Sequence, residues 1–134
     1  MSFIQTKISS LAKAMKTARA QKDLQEVARL LNKLGDTQRQ AGQLEQAVKS
    51  HYEELQVVIE LNPNLWCMDT AKALRFLGIV LGELDAVEHM VRCCDLHLRI
   101  SRQEAERRQG LSVVDVSVLF GLFGKLIRAS FTVR

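Results

Sequence analysis

The sequence predicts an all-α protein, an array of antiparallel helical hairpins forming a fragment of an α-solenoid. Three observations carry this. Apolar residues recur at spacings of three and four along most of the chain, the period of one helix face. Helix breakers are scarce, with one proline and seven glycines among 134 residues. A Leu-Gly pair, Leu34-Gly35, returns 43 residues later as Leu77-Gly78, so the helical pattern repeats.

The opening helix spans about residues 3–20, where Ile4, Ile8, Leu11 and Met15 form one stripe. Lysines fill its other faces. Residues 1–22 hold five basic residues and no acid, which also fits a mitochondrial presequence. The stretch runs without a break into the next helix, and this favours an opening helix of the array.

The second helix begins at Leu24 and carries Val27, Leu30, Leu31 and Leu34. Gly42 follows its end, where glycine stops helices. The third spans about 44–61, with Leu44, Ala47, Val48, Leu55, Val58 and Ile59. Pro63 then interrupts the chain, since it lacks an N–H and restricts the residue before it. The fourth helix spans about 66–81, and the fifth runs from about Asp85 into "RQEAERRQ". Repeat one is thus residues 24–61 and repeat two 66–108, within an array of 1–109. Residues 110–134 form an atypical amphipathic segment, expected to cap the open end.

The two repeats share stations. Leu31 and Leu74 stand four residues before Gly35 and Gly78, and Ala47 and Met90 stand twelve after. A glycine inside a helix lowers helix propensity by about 1 kcal/mol, so close packing has to offset it. Gly35 is expected to let the next helix approach, with Ala47 as the small residue facing it. The second repeat fits less well. Asp85 replaces the turn glycine and Met90 the small alanine, while Leu98 stands where Leu55 does. Cys94 and His97 are expected on the packed face. This pattern resembles the tetratricopeptide repeat, although the 43-residue spacing exceeds that repeat's usual length.

A narrower resemblance lies in "SLAKAMKTARAQKDLQEVARLLNKLGDTQRQAGQLEQAVKSHYEELQV", Ser10 to Val57. It is similar to the N-terminal region of Tonsoku-like proteins, with a Lys/Ala-rich helix, a Leu-Gly repeat and an aromatic-x-Glu-Leu-Gln segment at Tyr52 to Gln56. "LGIVLGELDAVEHMVRCCDLHL", Leu77 to Leu98, looks like their second repeat. The match covers residues 6–108, about three quarters of the sequence. The resemblance implies a nuclear scaffold at damaged replication forks, part of a larger repair complex. That family's histone-reading ankyrin repeats and its leucine-rich repeats are not in this sequence.

Catalytic motifs are missing: no P-loop, no GxSxG, no HExxH. Gly121 and Gly124 make only an incomplete phosphate-loop pattern, and Asp36 with Glu45 is no convincing acid/base couple. The protein is therefore expected not to be an enzyme and to need no cofactor. His89, Cys93 and His97 share one helix face at zinc-like spacing, but one helix rarely closes a tetrahedral site, so no metal is expected. Cys67, Cys93 and Cys94 are expected as reduced thiols. The net charge of +4 is uneven: residues 23–115 hold eleven bases against fifteen acids. The repeats are thus acidic, and direct nucleic-acid binding is not expected.

The function expected is that of an interaction scaffold. Stacked helix pairs leave a concave groove lined by the first helix of each pair. Counting from the glycines, the groove residues are Arg29, Asn32, Asp36 and Arg39, then Lys72, Arg75 and Ile79. The partner expected is a peptide or protein segment carrying acidic residues. Asp36 stands where a carboxylate clamp would need Asn, so capture of a partner's terminal carboxylate is not expected. The alternative is a basic amphipathic protein at a membrane surface or imported into mitochondria, suggested by "VLFGLFGKLIRASF", Val118 to Phe131. A nuclear location follows from the resemblance, and a cytoplasmic one is compatible.

Overall fold

A computed structural model describes residues 2–62 and 67–107. The Pro63 break and the 110–134 segment lie outside the described residues. Five helices follow in order: α1 Phe3–Ala20, α2 Leu24–Gln40, α3 Leu44–Leu61, α4 Met68–Glu83 and α5 Val87–Arg107. No strand occurs among the described residues.

Local chemistry sets the helix ends. Ser2 caps α1, its hydroxyl accepting the Gln5 N–H at 3.1 Å. Asp23 caps α2 by accepting the Glu26 N–H at 3.2 Å, and Glu26 lies in the first turn as in a capping box. Three turns have one design. Lys22, Gly42 and Asp85 each take a left-handed backbone, with φ of 56°, 79° and 61°. Each donates its N–H to the carbonyl three residues back, Arg19, Arg39 and Gly82. The next residue, Asp23, Gln43 or Ala86, donates to the carbonyl five residues back, at 3.1, 2.9 and 2.9 Å. This is the Schellman closure, which satisfies the last carbonyls of one helix. The following helix starts two residues after the left-handed residue in all three cases. Asp85 thus occupies the station of Gly42, 43 residues on.

Each helix packs on its neighbours in sequence, most extensively α2 on α3 and α4 on α5. Helices two apart share a side. Arg19 of α1 meets Glu53 of α3 at 2.6 Å, and Arg39 of α2 meets Glu83 of α4 at 2.8 Å. Exposed pairs of this kind add little stability, so they report proximity more than they hold the array. The larger core joins Ala47, Val48 and Leu55 of α3 to Leu74, Leu77, Val80 and Leu81 of α4 and to Cys93, Leu96 and Ile100 of α5. A smaller core joins Met15 and Ala18 of α1 to Val27, Leu30 and Leu31 of α2. Leu34 is half-buried.

Three packing expectations change. The group facing Gly35 is the His51 ring, whose atoms come within 2.6 Å of where a Cβ would stand, and not Ala47. Ala47 is fully buried in the larger core instead. Met90 lays its sulfur over Gly82, while Gly78 meets the Cys93 Cβ at 3.3 Å. In α5 the packed register also differs from that of α3. Leu98 is 59 % exposed and Cys94 is exposed, while Leu96 and Ile100 point inward. The physical reason is that α5 uses the Cys93-Leu96-Ile100 stripe against α4, rotated from the stripe that Leu55 defines.

The two glycines therefore respond differently to a methyl group. Gly35→Ala forces the His51 ring aside, and overpacking of 1–3 kcal/mol outweighs the helix-propensity gain. A net loss of about 1–2 kcal/mol is expected in urea melts. Gly78→Ala sets its Cβ 3.3 Å from the Cys93 Cβ, so α5 has to give by a few tenths of an ångström, and the helix-propensity gain offsets this to within about 1 kcal/mol of the parent.

Candidate functional site

α2 and α4 lie side by side, with α3 behind them. Between them opens a cleft of roughly 450 Å³. Ala28, Val58, Leu61 and Phe76 supply apolar wall, and Arg29, Lys33, Asp69 and Lys72 supply charged wall. Asn32 and Glu54 complete the lining.

Glu54 is the unusual member. It sits on the α3 stripe of Ala47, His51, Leu55 and Val58, yet it is only 7 % exposed. A buried carboxylate needs hydrogen-bond partners. Asn32 of α2 supplies one, its amide donating to both carboxylate oxygens at 3.1 and 3.3 Å. His51 Nδ1 lies 2.9 Å from Glu54 Oε1. The His51 ring then stacks on Phe76 of α4, centroids 5.6 Å apart and planes 11° apart. A polar network thus links α2 to α3 behind the cleft, and ring stacking carries it on to α4.

Of the seven residues expected in the groove, Arg29, Asn32 and Lys72 line this cleft. The other four do not. Asp36 and Arg39 pair with each other at 3.0 Å, and Arg39 also reaches Glu83. Hydrogen bonds that it donates to Asp36 and then to Glu83 raise the Arg39 guanidinium above its ordinary range. Its charge is thereby engaged inside the protein. Arg75 lies 5.7 Å from the Phe76 ring centroid, within cation–π range. Ile79 is 42 % exposed away from the cleft lining. Arg29 is held by Glu26 one turn earlier, and that hydrogen bond raises its pKa and lowers that of Glu26.

Sequence reasoning missed Lys33, Glu54, Asp69 and Phe76, and it assigned His51 no role. Counting from the glycines selected one face of α2 and α4 and overlooked α3. The available signal was a histidine and a glutamate at apolar positions of α3, where a lone polar residue is either satisfied or functional.

On the zinc-like face, His89 Nδ1 is buried with no hydrogen-bond partner among the described residues. Cys93 is fully buried, and His97 Nδ1 donates to the Ala71 carbonyl at 2.9 Å. No group of three metal-binding side chains converges among the described residues. Burial pushes the Cys93 thiol up to about 12, with Cys94 beside it adding to the shift. The raised value means that burial favours the neutral thiol. That contribution is complete below the ordinary thiol value of 9.0 and is lost as pH climbs towards 12. Among the described residues, no helix is long and apolar enough to cross a membrane.

Maleimide labelling near neutral pH is expected to modify exposed Cys94 quickly and Cys93 only after denaturation. Mass spectrometry of the native and unfolded protein checks the difference. Compared with known proteins, the chain matches no family model, no curated protein and no solved structure.

Proposed function

We propose that this protein is a tetratricopeptide-like interaction scaffold that receives a partner's peptide segment in the cleft between α2 and α4. The 43-residue return of Leu-Gly and the matched turns at Gly42 and Asp85 support the repeat reading. The observation that carries the binding reading is the cleft itself: three helices contribute to it, and it joins apolar wall to a charged rim. Such a surface suits a short helix or extended strand with an apolar anchor and flanking charges.

The rim supports acidic character in that segment. Arg29 and Arg39 are engaged with carboxylates of this protein, which leaves Lys33 and Lys72 as the lysines of the cleft wall. Acidic side chains beside the anchor would meet them, steered by charge and weakened by salt. The role is binding, with no catalytic step. By its resemblance to Tonsoku-like proteins, the scaffold would act in the nucleus within a larger replication-fork repair assembly. Its partner would be another protein of that assembly.

The test is capture of an acidic peptide carrying one aromatic or leucine anchor, read by fluorescence anisotropy. Lys33→Glu with Lys72→Glu is expected to weaken binding by roughly tenfold or more, and added salt to weaken binding by the parent. The matched control Lys13→Glu with Lys16→Glu, on α1, should bind like the parent. Equal binding by all three proteins, with equal helical circular dichroism, would refute the reading.

A further inference from the structure

Glu54 does more than join α2 to α3. It stands on α3, behind α2 and α4, and its carboxylate is part of the cleft lining. Two nitrogens reach it. Asn32 Nδ2 donates to Oε1 at 3.3 Å and to Oε2 at 3.1 Å, and His51 Nδ1 lies 2.9 Å from Oε1. A carboxylate has about four positions that accept hydrogen bonds. Oε2 thus has one donor among the described residues and an accepting position to spare. A ligand that fills the cleft takes solvent away from this oxygen. It must then donate to the oxygen or leave it stranded, and a stranded buried acceptor is costly.

The surroundings select the chemistry of the donor. Lys33 and Lys72 stand in the same wall, so a cationic donor brought to Glu54 would meet repulsion from both. Asp69 offsets one of these charges, and Arg29 is already engaged with Glu26. An acidic side chain in the same place would meet Glu54 itself. A neutral donor meets neither obstacle. It has to pass the apolar wall of Ala28, Val58 and Phe76 before it reaches the carboxylate. Serine and threonine are too short for this, and asparagine or glutamine would press a polar amide on apolar groups. Tyrosine and tryptophan combine an apolar ring with a single O–H or N–H at its edge.

We infer that Glu54 determines the specificity of the cleft, by accepting a hydrogen bond from the phenol or indole of a tyrosine or tryptophan anchor in the bound segment. This rests on the reading of the cleft as a peptide site. Acidic residues beside the anchor meet Lys33 and Lys72, and the donor at its tip meets Glu54. Asn32 and His51 are positioning residues, since they fix the carboxylate from the side of the protein.

The test uses the full chain and four acidic peptides, identical except for one central residue: tyrosine, tryptophan, phenylalanine or leucine. Fluorescence anisotropy is expected to show the first two binding roughly tenfold or more tightly than the last two. Glu54→Gln removes the charge and sets an amide N–H where an oxygen stood, and should reduce the tyrosine-to-phenylalanine ratio to about twofold. If that variant loses its helical signal, a peptide with a fluorinated tyrosine decides in its place. Its phenol is the stronger donor, so it should bind the parent more tightly than the tyrosine peptide does, below the pH at which the phenol ionises. Equal or weaker binding would overturn the inference. Failure of all four peptides to bind would overturn the cleft reading and the inference together. Phenylalanine and leucine peptides that bind as tightly as the tyrosine peptide, and still depend on Lys33 and Lys72, would overturn the inference alone. A tyrosine preference unchanged in folded Glu54→Gln would do the same.

Discussion

The hairpin turn is the constraint on which this structure rests. At Lys22, Gly42 and Asp85 the backbone leaves one helix, flips a single residue into the left-handed region, and re-enters a helix two residues later. Two closing hydrogen bonds make each turn specific, because without them the last carbonyls of the helix would lack partners. Glycine takes such a backbone freely, whereas Lys22 and Asp85 take it against a steric penalty of about 1–2 kcal/mol. That two non-glycine residues accept it shows that helix packing on either side determines the turn. The repetition of the turn then gives an array in which neighbours in sequence are neighbours in space.

Given those turns, the depth of each helix contact depends on what the facing residues permit. Gly35 admits an imidazole, and this draws a polar network into the interior: His51 against Gly35, Glu54 beside His51, Asn32 on Glu54. A buried polar group of this kind has a demanding geometry, since each lost partner leaves a desolvation cost of about 1–3 kcal/mol. The second hairpin fills the same station, Gly78, with Cys93, and Met90 lays its thioether over Gly82 one turn on, groups that fill space without asking for partners. The first pair is therefore tied by a buried side-chain network, and the second chiefly by shape, with one hydrogen bond from His97 to the Ala71 carbonyl. The cleft opens beside the directed bonds, so a ligand there would touch a part of the protein whose geometry is strongly specified.

The same asymmetry explains the two faces of α5. In α3, Ala47, Val48 and Leu55 lie in the larger core, and α3 packs on helices of both sides. α5 has a described helix on one side only, and its second apolar stripe is exposed. An internal helix and the last described helix thus have similar amphipathic composition and different solvation.

Much of the architecture was legible in the residues alone. Helical periodicity, few breakers and the return of Leu-Gly gave five helices with ends near those found, because local spacing and turn chemistry govern helix boundaries. Gly42 announced its turn, and Asp85 was identified as its counterpart by spacing alone. Pairwise contacts between helices were not legible. Periodicity says which residues share a face but not the rotation of that face about its axis, and a step of two positions, about 200° around the helix, separates Leu98 in solvent from Leu96 in the core. Nor could spacing show that Arg39 would also reach Glu83, or that Glu54 and Phe76 would meet around a cleft. Those outcomes depend on distances between segments far apart in sequence, and only the packing of whole helices sets them.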